Sequence, residues 1–157
     1  MSKAPATARL ISSVVIQKDD KILVLREPND DGEMTLNLPG GHVEPGEGVI
    51  EAAVREAREE TGLEIEVSHL LQIISNSWKD GSHSIRHTFV GQMKSGHLQA
   101  EQGSEILWMS EDEIVSTVDG VFVFGVREAM LLAFKRSYIN PENVIVRDRG
   151  EVNNTIS

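Results

Sequence analysis

Short apolar runs rich in β-branched residues recur along the chain between polar clusters, and such runs predict β-strands. The first two runs, 12–17 and 21–26, flank the polar cluster 18–20 and predict a hairpin. A third, short run at 34–38 ends in a Pro-Gly-Gly turn. Later runs of the same kind predict strands over residues 65–67, 70–75, 85–93 and 106–109.

Helical patterns interrupt these strands. Residues 47–61 carry an apolar stripe at three- and four-residue spacing, and Gly62 follows as a C-terminal stop. A helix start is predicted at Ser110, with acidic residues in its first turn, and a longer helix over 124–136. Strands on both sides of an amphipathic helix, followed by a second long helix, predict an α/β fold with a mixed sheet between helical layers.

The polar face of the first helix carries candidate chemistry. Glu56, Glu59 and Glu60 are spaced i, i+3 and i+4, so they lie on one face within about one turn of each other. Three carboxylates this close repel one another, and a divalent cation would remove the conflict. Oxygen ligands favour Mg²⁺, with Mn²⁺ as a substitute. The chain has no cysteine, which argues against structural zinc here.

Residues 41–63 match a longer pattern, with fixed points at Gly41, Glu47, Arg55, Glu56, Glu59, Glu60 and Gly62. This run resembles the Nudix box, and the chain resembles the Nudix hydrolases. The resemblance implies an α/β/α sandwich with a mixed sheet and a loop–helix–loop box, in which Gly41 and Gly62 are structural. It also implies that the three helix glutamates and the Gly40 carbonyl ligate metals, and that Arg55 pairs with Glu47.

The resemblance implies hydrolysis of a diphosphate linked to another group X, with water attacking phosphorus in line. The general base stays open among Glu59, Glu60, Glu101 and Glu105. Candidate substrate-binding residues are Arg26, His42, Trp78 and Arg86, each of which could equally be a surface or core residue. Two other readings of the chain are a Nudix-fold sensor that binds a nucleotide without cleaving it, and an acidic structural protein.

Sequence tags bear on the substrate. Nudix enzymes that act on ADP-ribose carry a proline about fifteen residues after the box, where this chain has Trp78. Tags for dinucleoside polyphosphates, coenzyme A and NADH are also absent. These features favour nucleoside di- or triphosphates or small pyrophosphates. The similarity to NudJ-type phosphohydrolases within the family points the same way.

Length, charge and composition bear on the number of domains, the partners and the location of the protein. A chain of 157 residues predicts a single domain over 1–157, with 139–157 as an extended or frayed tail. The net charge of −10 argues against a nucleic-acid polymer as partner, but not against small phosphorylated molecules. No apolar run is long enough for a membrane span, and no signal segment is evident, so a cytoplasmic protein is expected. The sequence leaves oligomeric state open, with a homodimer as one alternative.

Overall fold

The computed structural model describes residues 6–139. Within that range the chain alternates strands and helices in the order that the patterns predict. The strands are β1 (Arg9–Lys18), β2 (Lys21–Pro28), β3 (Met34–Asn37), β4 (Gly40–His42), β5 (Leu63–Ser77), β6 (His83–Gly96) and β7 (Glu105–Ser110). The helices are α1 (Val49–Thr61), α2 (Glu111–Ser116) and α3 (Val126–Phe134), with a 3₁₀ turn at Asp119–Val121.

The strands form one mixed sheet in the order β3-β2-β1-β6-β5. Strand β1 lies at its centre, pairing parallel with β6 and antiparallel with both β2 and the short β4. Strand β7 pairs antiparallel with β2, and the long β5 with β6. The predicted mixed sheet and the first hairpin are therefore present.

Each face of this sheet has its own apolar core. Because side chains alternate along a strand, neighbouring residues of β1 and β2 enter opposite cores. Val14 and Leu23 pack toward α1, in a core that includes Ala53, Ala57, Leu63, Leu70 and Phe89. Val15 and Val24 pack toward α3, in a core that includes Leu36, Ile114, Ala129 and Met130. Helices cover both faces, which confirms the α/β/α sandwich.

The helix ends follow from local chemistry. Gly62 ends α1 in the left-handed region at φ 73°, where its N–H bonds to the carbonyl of Arg58. A side chain at Gly62 would also overlap the carbonyl of His97 in the following loop. Helix α2 begins with a capping box, in which Ser110 and Glu113 each accept from the other's backbone N–H.

Several boundaries differ from the sequence prediction. The strands predicted at 65–67 and 70–75 are one continuous β5, because pairing with the long β6 carries the strand across three register shifts. Helices α1 and α3 are shorter than the predicted 47–61 and 124–136, since Gly48 and Gly125 act as their N-caps. Gly40 and Gly41, predicted as part of a turn, pair with β1 together with His42 and form β4.

The end of the chain is described only as far as Ile139, whose N–H donates to the carbonyl of Leu70 at 2.8 Å. The rest of the predicted tail, residues 140–157, lies outside the described residues. In the described part, 6–139, none of the helices has the length and apolar character needed to cross a membrane.

Candidate active site

Strand β4 and helix α1 meet at a contact that only glycine allows. A Cβ on Gly41 would overlap the carboxylate of Glu56, and a Cβ on Gly40 would overlap the carbonyl of Ser12 on β1. The two glycines therefore let β4 pack closely against both β1 and the carboxylates of α1. They also leave the backbone there bare of side chains.

Glu60 has the most strongly raised pKa among the glutamates of α1. Its Oε2 accepts a hydrogen bond of 2.8 Å from the Gly40 N–H. The pKa of Glu60 is raised to about 8, mainly by burial, with a smaller rise from the charges of Glu56, Glu27 and Glu101, while the bond from Gly40 acts in the opposite direction. A partly desolvated carboxylate near three other acidic side chains is stabilised by a bound cation.

Glu56 shares this environment in part. Burial raises the pKa of Glu56, while its bond to Arg55 acts in the opposite direction. Glu59 is more exposed, and Oε2 of its carboxylate accepts from Arg55 at 3.1 Å. The carboxyls on the acidic face of α1 therefore range from half-buried at Glu60 to exposed at Glu59.

Arg55 joins the loop before α1 to the helix. Its Nε and Nη2 donate to the two carboxylate oxygens of Glu47 at 2.7 and 3.0 Å, and Nη2 also donates to the His42 carbonyl at 3.0 Å. Nη1 bonds to Glu56 at 2.9 Å. The bond to Arg55 lowers the pKa of Glu47, and the same bond is the main reason that the pKa of Arg55 is raised. This two-point contact holds the loop against the helix.

The donor set suits a hard divalent ion. Carboxylate and carbonyl oxygens from Glu56, Glu59, Glu60 and Gly40 are the ligands that Mg²⁺ and Mn²⁺ prefer, and no thiol or imidazole lies among them. Within residues 6–139, no three acidic or histidine side chains already converge as a metal site. Two of the three carboxylates bond to Arg55 instead, so a cation would compete with that guanidinium for them.

The distant candidates for a general base lie in different places. The N–H of Glu101 donates to the backbone carbonyl of Glu60 at 3.3 Å, so its loop packs on the end of α1 beside the acidic cluster. Glu105 instead pairs with Arg26 at 3.3 Å, with both side chains exposed. Arg26 alternates with Leu25 on β2 and therefore projects from the face opposite α1. The structure brings Glu101 to the cluster and keeps Glu105 and Arg26 apart from it.

One acidic residue near the cluster was missed by the sequence analysis. Glu27 shares a face of β2 with Leu23 and Leu25, which pack toward α1, and its charge contributes to the raised pKa of Glu60. Its Oε1 accepts from the Asn37 side chain at 2.9 Å. The alternation along β2 could have placed Glu27 on the helix side, but its nearness to Glu60 depends on the tertiary fold.

The other predicted substrate-binding residues lie together on the α3 side of β4. His42 and Trp78 line one cavity of about 270 Å³. Arg86 of β6 lies opposite Ile11 of β1, and Ile11 lines the same cavity. Burial lowers the pKa of Arg86. Within residues 6–139, no carboxylate offsets that burial by an ion pair. A half-buried cation without a carboxylate partner favours an anionic ligand.

Comparison with known proteins places this geometry in a family. A model of the NUDIX domain matches residues 7–130. A solved structure described as a NUDIX hydrolase from Nitrosomonas europaea superposes with a TM-score of 0.81 at 28% identity, over 92% of this chain and 100% of that one.

Curated relatives share parts of the chain. An ADP-ribose pyrophosphatase of Methanocaldococcus jannaschii is 42% identical over 87 residues, or 55% of this chain and 52% of that protein. The match therefore spans about half of that relative's length. A CTP pyrophosphohydrolase of Escherichia coli is 31% identical over 106 residues, covering 66% of this chain and 76% of its own length.

Proposed function

The chain belongs to the NUDIX domain family, and from this premise we propose that it hydrolyses a nucleoside di- or triphosphate, or another small diphosphate linked to a group X, with a divalent cation. One observation carries the proposal. Glu60 is a half-buried carboxyl at the end of α1 that lies near other acidic side chains and accepts a hydrogen bond from the N–H of Gly40. Such an arrangement costs folding free energy unless a cation occupies it.

The helix glutamates and the Gly40 carbonyl would hold the ion, Mg²⁺ or Mn²⁺ by the nature of the donors. A divalent cation bound there supplies positive charge for phosphate oxygens and lowers the pKa of water. The bare backbone of Gly40 and Gly41 lets a phosphate approach without a side chain in the way. Arg86 supplies a further positive charge on the other side of β4.

The remaining requirement is a base for the attacking water. Among the four candidates, Glu101 fits best, because its loop packs on the end of α1 while its carboxylate remains exposed. Glu60, which donates its carboxylate oxygens to the cation in this proposal, is not free to accept the proton of the attacking water. Glu105 is occupied with Arg26 on the opposite face. In this scheme Glu101 takes the proton, and Glu60 stays with the cation.

The substrate class is proposed from the relatives and from the cavity beside β4. The names of two relatives refer to ADP-ribose and to CTP, both of which contain a nucleoside joined to a phosphoanhydride. The sequence of this chain lacks the proline tag of ADP-ribose enzymes, which favours the nucleoside di- and triphosphates. Assignment to the NudJ-type subgroup stays a prediction.

Release of phosphate and pyrophosphate with Mg²⁺ should be measured on a panel of common and oxidised nucleoside di- and triphosphates, ADP-ribose and diadenosine polyphosphates. We expect turnover of nucleotides, and a loss of about 100-fold or more in kcat for Glu60→Gln. Glu66→Gln is the matched control, since Glu66 is an exposed glutamate of β5 whose one ion pair among residues 6–139 is with Lys94. Equal loss in both variants would refute the assigned role of Glu60, whereas nucleotide binding with no turnover by the unmodified protein would refute the enzyme and favour a sensor.

A further inference from the structure

The cavity beside β4 has a composition unlike the acidic cluster. It lies on the α3 side of the sheet, because Ile11, which lines the cavity, is on the same face of β1 as Val15 of the α3 core. Its walls come from the start of β1, from β4 and from the β5–β6 hairpin. The lining includes Arg9, Ile11, His42, Trp78, Asp80 and Ser82.

Trp78 stands at the hairpin tip without a place in either core. It is 52% exposed, yet its backbone is held at both ends of the turn. Its N–H donates to the carbonyl of Ser82 at 3.0 Å, and its carbonyl accepts from Gly81 at 3.0 Å. A large aromatic side chain that is exposed on a fixed turn can stack on a planar ligand at little cost in conformational entropy.

Polar groups surround this aromatic surface. Asp80 Oδ1 accepts from the N–H and hydroxyl of Ser82 at 2.9 and 2.7 Å, and these bonds lower the pKa of Asp80. Its second oxygen remains available as an acceptor, while Arg9 and His42 offer donors. A planar heterocycle with N–H groups on its edge matches this set better than a sugar or an aliphatic chain does.

The cavity also connects to the acidic cluster. His42 lines it, while the His42 carbonyl accepts from Arg55 and the preceding glycines contact Glu56 and Glu60. From Gly40 to His42 the strand advances only about 7 Å. Arg9 and His42 continue into a second cavity of about 470 Å³ that reaches Glu47. One ligand can therefore occupy the cavity while its phosphates lie against Gly40 and Gly41.

We propose that this cavity binds the nucleobase of the substrate, stacked on Trp78 with an N–H edge donating to Asp80. The inference rests on the proposed nucleotide hydrolysis and assigns its specificity to the β5–β6 hairpin. Arg9, which lines the same cavity as Asp80, provides a hydrogen-bond donor to the base. Bases that present an amino group beside a ring N–H, such as guanine, are bound best.

The test compares a nucleotide with a ligand that has the same phosphates and no base. For the unmodified protein, Trp78→Ala and Trp78→Phe, KM and the calorimetric Kd are measured for GTP, together with the inhibition constant of inorganic tripolyphosphate. Ile73→Ala is the control, because Ile73 is 51% exposed on the same hairpin but projects toward the α1 side. We expect Trp78→Ala to weaken GTP about tenfold or more and tripolyphosphate not at all, with Trp78→Phe restoring most of the affinity.

Asp80→Asn is the second variant, since the amide oxygen can still accept from Ser82 and keep the turn. It should weaken GTP more than it weakens inosine triphosphate, which lacks the amino group. Unchanged GTP affinity in Trp78→Ala, or equal losses for GTP and tripolyphosphate, would overturn the inference. Failure of the proposed function is separate: the unmodified protein would then turn over no nucleotide, and the Kd comparison would still decide whether the cavity binds a base.

Discussion

Replacing Glu60 by glutamine should stabilise the cation-free protein at alkaline pH, although it removes a side chain central to the proposed site. The unfolded chain releases the Glu60 proton at its ordinary pKa of 4.5, whereas the folded chain holds it to about pH 8. Between these values the folded state binds more protons, so the free energy of unfolding falls as pH rises. The loss is complete above pH 8.

The size of this effect follows from the shift. Each unit of pKa difference corresponds to about 1.4 kcal/mol, so the shift of Glu60 has an upper bound of about 5 kcal/mol. Glutamine keeps an oxygen that can accept from the Gly40 N–H and carries no charge. The stability difference between Glu60→Gln and the unmodified protein should therefore be within about 0.5 kcal/mol at pH 4.5 and favour the variant by a few kcal/mol at pH 8.5.

Urea denaturation in excess chelator, at half-unit steps from pH 4.5 to 9, measures this difference. Glu59→Gln is the control, because the Glu59 side chain is 56% exposed and no cost of burial is removed with it. Adding Mg²⁺ should reverse the order at pH 8.5, since the cation stabilises the ionised Glu60. A variant less stable than the unmodified protein at pH 8.5 in chelator, or a difference that does not change with pH, would refute this account of Glu60.

Three other perturbations have distinct signatures. Arg55→Ala leaves the half-buried Glu47 unpaired and should lower the free energy of unfolding by about 3 kcal/mol in urea titrations, and Arg55→Lys, which lacks the fork, should recover only part of it. Gly41→Ala should abolish turnover while far-ultraviolet dichroism is unchanged, whereas Gly120→Ala, where a Cβ meets no neighbour, should retain full rate. Ser110→Ala removes the α2 cap and should cost about 1 kcal/mol in thermal denaturation, with turnover unaffected.

The candidate site was predictable where its residues belong to one element. The spacing of Glu56, Glu59 and Glu60 places them on one helix face in any α-helix, whatever the helix packs against. The apolar runs of β1 and β2, separated by a polar cluster, predict a hairpin, and the apolar stripe of α1 predicts a helix that packs on a core. These are local periodicities, and the structure contains all of them.

Contacts between elements were not predictable from such periodicities. Glu101 and Glu105 were equivalent candidates in the sequence, and only the packing of the 97–104 loop on the end of α1 separates them. Glu27 was overlooked because its nearness to Glu60 depends on how β2 lies against α1. Arg26 was grouped with Arg86, and the pairing of β2 with β7 gives it a partner in Glu105 instead.

The sequence by itself determined the family, the helix that carries the glutamates and the first β-hairpin, because each depends on a local pattern of residues. Only the tertiary structure decided the perturbation of Glu60 and the cavity at Trp78. The Glu60 environment and the cavity both depend on the register of β1 with β4 and β6. This register places His42 and Arg86 on either side of Ile11, and Gly40 opposite Ser13. Register is a long-range property, set by the packing of two cores at once, and no local pattern encodes it.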